Sequence, residues 1–108
     1  MDLIITARNF QLSDTLQQYA KNKMSKLKRF AHYIIDGNLV LEKDKSMSII
    51  ELTLSVKHSV INSKVKNVDI YQGISEVFKK IERQLDKYEA KFRERKRIAQ
   101  KARRKWTQ

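Results

Sequence analysis

The stretch from Asp69 to about Ile98 constrains this chain more than any other. Ile74, Val77, Phe78, Ile81, Leu85, Tyr88 and Phe92 recur there at three- and four-residue spacing. At about 100° per residue they fall on one stripe of a single long helix, and such a stripe has to be buried against something. Asp69 is placed to cap the helix start, and Gln72 three residues on gives a capping-box spacing. The remaining faces are sorted by charge. Glu82, Asp86 and Glu89 follow one edge of the stripe, while Lys80, Arg83, Lys87 and Lys91 line up beyond the other. Lys79–Arg83, Arg83–Lys87 and Lys87–Lys91 are like-charge pairs at i, i+4, each mildly destabilising to an isolated helix. A helix with a purely structural role normally mixes its signs. The row therefore reads as a surface for a polyanion rather than as a solvated face.

The chain before this helix supplies the surface it needs. Residues 2–7 predict a short β-branched strand with Leu3 and Ile5 facing inward. Ser13 then reads as an N-cap with Asp14 in the first turn, opening a helix over 14–30. Its stripe is Leu16, Ala20, Met24, Leu27 and Ala31, with Tyr19 and Phe30 at the margin. Lys23, Lys26 and Arg29 occupy one flank. Lys21 and Lys28 occupy the other, where a solvated role is as good a reading as a functional one. Three strands follow: 33–43, in which Gly37 suggests a bulge or bend; 47–57 after a polar turn at 44–46; and 60–67 after a tight turn at His58-Ser59. Along the second of these, Ile50, Leu52, Leu54 and Val56 alternate with Glu51, Thr53, Ser55 and Lys57. Along the third, Ile61, Ser63 and Val65 share a face. The order β-α-β-β-β-α predicts an α+β fold in two layers, a four-stranded sheet with two helices on one face and a wet, polar opposite face. The opening β-α-β unit should be right-handed.

Charge points to the partner. The net charge is +12, of which residues 55–108 carry sixteen Lys/Arg against six Asp/Glu. From Lys91 onward nine basic residues face only Glu94. Such asymmetry suggests nucleic acid first and an anionic membrane surface second. The organisation expected is one domain over 1–92 and a basic tail over 93–108. The tail reads either as a disordered cationic arm or as a helix extension that orders on RNA with Trp106 stacking. The possible contact residues in it are Arg95, Arg97, Arg103 and Arg104.

Other chemistries lack their residues. The chain has no cysteine, which removes disulfides, thiolate metal sites and thiol nucleophiles together. No apolar run approaches the ~20 residues of a membrane span, and the N-terminus has no basic stretch of the signal-peptide kind. His32 and His58 are the only histidines, and no phosphate loop, zinc-protease motif or nucleophile elbow is present. No catalytic residues, metal ligands or cofactor are expected. Aromatics are not spaced for serial base stacking; Tyr33, Tyr71 and Trp106 are the candidates. Backbone and shape recognition of structured RNA therefore fits better than base reading.

These residues resemble a known family. The opening Leu3-x-Ile5-Thr6, the run Ala20-x-x-Lys23-x-x-Lys26-Leu27, and Asp69-x-Tyr71 followed by Ile74 and Lys80-x-x-Arg83-Gln84-Leu85-x-Lys87 look like the ribosome hibernation promoting factor family, which includes protein Y, in its short form. The resemblance spans roughly residues 1–92. It implies a non-catalytic cytoplasmic protein, monomeric off the ribosome, that binds the small ribosomal subunit in the decoding region and holds ribosomes idle in starvation or stationary phase. It implies rRNA phosphate contacts for Lys23, Lys26, Lys80, Arg83, Lys87 and Lys91, with Arg29 beside them. Tyr71 could pack or touch RNA. Long members carry a second, ribosome-dimerising domain, for which 108 residues leave no room. The alternatives are a general binder of double-stranded RNA or DNA, a peripheral membrane protein anchored by Ile98–Trp106, and an enzyme acting on RNA.

Overall fold

The computed structural model describes the backbone of residues 2–106 and the side chains of residues 2–98. The elements run β1 (Asp2–Arg8), α1 (Asp14–Ser25), β2 (Ile34–Asp44), β3 (Met47–Val56), β4 (Ser59–Asn67) and α2 (Ile70–Trp106). The strands form one sheet in the order β1-β2-β3-β4. β1 lies parallel to β2, and the two hairpins β2-β3 and β3-β4 are antiparallel, so the sheet is mixed. Alternation does what the sequence predicts. Leu39 and Leu41 of β2, Ile50, Leu52, Leu54 and Val56 of β3, and Ile61 and Val65 of β4 are buried on one face, in one core with Leu16, Ala20 and Met24 of α1 and Ile74, Val77, Ile81 and Leu85 of α2. Both helices therefore cover the same side. The opposite face carries Thr53, Asn62, Lys64 and Lys66, with Ile4 and Val60 exposed among them.

α1 is shorter than its periodicity suggests. The Ser13 hydroxyl caps it by accepting from the Leu16 N–H at 3.1 Å. Past Ser25 the backbone bonds tighten to three-residue spacing: Leu27 to Met24, Phe30 to Leu27, Ala31 to Lys28. In such a turn residues i and i+3 eclipse. Leu27 and Phe30 therefore share the inward face, and Phe30 is only 1% exposed, while Ala31, inward on an uninterrupted α-helix, is turned to solvent.

Three other local expectations change. The β3-β4 turn is Lys57-His58 rather than His58-Ser59, with His58 at φ 65° and Val56 paired to Ser59. The irregularity in β2 lies between Ile34 and Asp36, not at Gly37. Gly37 is needed for a different reason: a β-carbon there would sit 2.8 Å from Leu54 Cδ2 and 3.2 Å from Leu3 Cδ1. The capping box at α2 does not form as spaced. Asp69 caps, accepting from the Tyr71 N–H at 2.9 Å, but its own N–H donates to Asn67 Oδ1 rather than to Gln72. Asn67 is held in turn by donating its amide to Glu76 at 3.0 Å.

The long helix does not stop where its apolar stripe ends at Phe92. α2 is continuous for 37 residues, about 55 Å at 1.5 Å per residue. Residues 93–106 continue the helix.

Candidate nucleic-acid interface

The two edges of α2 face different neighbours, and this decides which charges remain available. The acidic edge faces α1. Arg29 reaches across to it, 2.5 Å from Asp86 and 3.8 Å from Glu82. Arg93 pairs with Glu89 at 3.1 Å one turn along. The carboxylates that could have cancelled the cationic row are thus occupied by arginines of the protein itself. Arg29 is part of this helix-to-helix bridge, with its side chain 60% exposed, rather than a free cation like its neighbours.

Lys23 of α1 and Lys26 at its C-terminal cap open on a shallow groove against α2, lined there by Ser75, Lys79 and Glu82. Lys79 belongs with this group although the sequence reading used it only as a like-charge neighbour of Arg83. Its i+4 partner pointed to the outer face; only the docking of α1 brings it near Lys23.

The other edge of α2 faces β4. The Gln84 side chain donates to the Asn62 carbonyl at 2.9 Å and fixes this flank against the sheet edge. Lys80, Lys87 and Lys91 share the flank at i−4, i+3 and i+7 from Gln84, and Arg83 points outward between the two edges. All four are exposed. Among the described residues, ion pairs involve only Arg29 and Arg93 as cations, so Lys23, Lys26, Lys80, Arg83, Lys87 and Lys91 carry uncompensated charge.

Where α2 passes the β3-β4 turn, an open groove of about 600 Å³ forms. Its floor is Ile61, Tyr88 and Phe92, and its rim is Lys57, Lys87, Lys91, Arg95 and Lys96. Tyr33, Tyr88 and Phe92 pack as an aromatic cluster, with Tyr33 5.5 Å from Tyr88 and 5.2 Å from Phe92, both near edge-to-face. Burial, and then the neighbouring Tyr33, push the Tyr88 hydroxyl above its ordinary pKa, with Arg95 opposing. The Lys96 ammonium stands 5.5 Å from the Phe92 ring centre. Lys57 was not among the contacts expected from the sequence because it meets Lys87 and Lys91 only through the turn-to-helix packing, while Lys96, on α2 with them, reaches the rim beside Phe92.

Of the two roles left open for Tyr71, the structure shows the packing one. It packs edge-on against Tyr19 at 5.0 Å and stays 38% exposed. Tyr33 is buried and packs beneath His32. Arg97 is exposed on the helix extension, while the side chains of Arg103, Arg104 and Trp106 lie outside the described residues. Among the described residues no group of three or more His, Cys, Asp or Glu is arranged to hold a metal, and no helix is long and apolar enough to cross a membrane.

Residues 3–93 match the family model described as Sigma 54 modulation protein / S30EA ribosomal protein. The chain belongs to this family. Its curated relatives in the family include the ribosome hibernation promoting factor of Salmonella typhimurium, 28% identical over 94 residues that cover 87% of this chain and 99% of that protein. The ribosome hibernation promotion factor of Bacillus subtilis is 30% identical over 95 residues, 84% of this chain but 50% of that longer protein. Among solved structures, a ribosomal subunit interface protein from Coxiella burnetii superposes with a TM-score of 0.79 over 83% of this chain and 99% of its own, at 22% identity. The N-terminal domain of Thermus thermophilus Protein Y gives 0.72 over 81% and 94%, at 20%. At these identities the likeness carries the fold. The family match ends at 93, one residue past the last residue of the apolar stripe.

Proposed function

We propose that this chain is a non-catalytic ribosome hibernation factor that binds the small ribosomal subunit in its decoding region and blocks translation there. The names of its curated relatives support the ribosome-associated role. The observation that supports the surface is the split of α2: Glu82, Asp86 and Glu89 are engaged by Arg29 and Arg93, while Lys80, Lys87 and Lys91 on the other flank and the outward Arg83 stand free, with Lys23 on α1 and Lys26 at its end. In this reading those six side chains contact rRNA phosphates, and the folded domain fills the channel that tRNA and mRNA would use. The exposed Arg95 and Arg97 continue the cationic row along the helix extension, and Arg103 and Arg104 follow them in sequence. The protein acts as a cytoplasmic monomer until it docks.

Phosphate contacts of this kind carry affinity by counterion release, not by base reading. The test is a double charge reversal, Arg83→Glu with Lys87→Glu. Neither side chain lies on the buried stripe, so the variant should fold as the wild type does. Its affinity for small subunits should drop at least tenfold. Wild-type affinity in a folded double variant would remove the α2 row from the interface.

A further inference from the structure

The groove at the β3-β4 turn has a composition that phosphate contact alone does not require. Its floor is apolar and largely aromatic, and its rim is cationic, with no acidic residue in the lining. Backbone docking needs charge, not a recessed pair of aromatic rings. Aromatic floor plus cationic rim is the combination that takes a base on a π-face and its phosphates on the edge.

The groove is also held open from both sides. Lys57 N–H donates to the Tyr33 carbonyl at 3.0 Å, and the Lys57 carbonyl accepts from the Tyr88 hydroxyl at 2.6 Å. The turn is thereby pinned to the core on one side and to α2 on the other. A preformed site spends little of its binding energy on ordering itself. Tyr88, with its hydroxyl committed, offers only its ring.

We infer that this groove receives one unpaired nucleotide of an RNA strand, its base over Phe92 and Tyr88 and its phosphates along Lys87, Lys91 and Arg95. A strand fits better than a free nucleotide because Lys87, Lys91 and Arg95 follow each other at i+4, a row of about 12 Å along the helix. That row is longer than one monophosphate spans. The inference rests on the RNA-binding reading above and adds to it a point of contact that discriminates unpaired from paired RNA.

The experiment uses the full chain and two RNA hairpins of equal length and charge. One carries a single bulged 2-aminopurine; the other is fully paired with 2-aminopurine in the stem. The bulged hairpin should bind about tenfold more tightly, in the range that stacking of one base supplies. Its 2-aminopurine emission should be quenched on binding. Phe92→Leu keeps an apolar side chain at the floor, and should remove the preference and the quenching while still binding the paired hairpin. Ring-proton signals of Tyr88 and Phe92 in the wild-type protein should shift with the bulged RNA and not with the paired one, which keeps the test open if the variant folds poorly. Equal binding of the two hairpins with unchanged emission would overturn the groove assignment and leave the electrostatic surface standing. Failure of both hairpins to bind, with small subunits still bound, would also overturn the groove as a site for unpaired RNA; failure to bind small subunits as well would overturn the RNA reading itself. Displacement of the bulged hairpin by equimolar adenosine monophosphate would overturn the strand and make the groove a free-nucleotide site.

Discussion

The Tyr88 hydroxyl donates a 2.6 Å hydrogen bond to the Lys57 carbonyl, tying the middle of α2 to the end of the β3-β4 hairpin. The tight turn with its positive-φ residue, His58, is otherwise held by its own strands and by the Lys57 N–H bond to the Tyr33 carbonyl, neither of which reaches α2. The bond fixes the angle at which the hairpin meets the helix, and with it the position of Lys57 opposite Lys87 and Lys91.

Tyr88→Phe keeps the ring in the aromatic cluster and deletes only this bond. The Lys57 carbonyl is on the surface and can turn to water, so the cost should be near the usual net value, about 1 kcal/mol. For a domain this size that lowers the melting temperature by about 4–8 °C. Thermal unfolding followed by circular dichroism measures it.

The same hydroxyl makes stability depend on alkaline pH. Its pKa is raised in the folded protein by burial and by Tyr33, above its ordinary value of 10.0. A group with a raised folded pKa holds its proton more tightly when native. Its contribution is complete below pH 10 and is lost as pH rises through the folded pKa. Denaturant midpoints for wild type and Tyr88→Phe should run parallel through neutral pH. They should converge above pH 10, where the wild type alone loses this term.

Gly73 sets how closely α2 lies on the sheet. A β-carbon there would overlap Ile50 Cδ1, whereas Ile50 Cγ1 at 3.3 Å and Asn67 Cβ at 3.4 Å leave a little more room. Gly73→Ala should therefore destabilise by about 1–3 kcal/mol despite the better helix propensity of alanine. Ile50→Val removes the colliding methyl. The double variant should be more stable than the sum of the two single effects, by urea denaturation. Additive losses would mean that the helix-to-sheet distance is not set by this pair.

Arg29 has a structural task as well as a charge. Its bridge to Asp86 and Glu82 is exposed, so Arg29→Ala should cost no more than about 1 kcal/mol, and less as salt is raised. Affinity for small subunits should fall less than in the Arg83/Lys87 reversal, because the carboxylates already neutralise much of this guanidinium.

What could be seen in advance, and what could not, follows from the range of each interaction. The alternation of β3 and the stripe of α2 are local periodicities, and they determined the order of elements, the buried faces and the two-layer stacking. Phe30 was misplaced because three-residue hydrogen bonding after Ser25 changes the phase of the stripe, and nothing in Lys26–Phe30 announces where a helix tightens. Gln72 lost its capping role to Asn67, whose side chain competes for the same N–H from two residues upstream. The cationic row was legible because it lies on one helix. That Arg29 would be engaged by the acids of α2, and that Lys79 would join Lys23 and Lys57 would join Lys87, depends on how separate elements dock. A single helix wheel does not contain that information.

The proposed six phosphate contacts set a salt dependence. On a logarithmic plot, affinity for small subunits should fall with a slope of about −5 against salt, or roughly a thousandfold between 50 and 200 mM. A slope near zero would mean that apolar contact, not charge, holds the complex.

The most direct measurement is sedimentation of the protein with purified small subunits, large subunits and whole ribosomes at moderate salt. Decoding-region binding predicts co-migration with small subunits and with whole ribosomes, and none with large subunits. Equal binding to every RNA-containing fraction would contradict it, and would make the chain a general cationic binder of structured RNA.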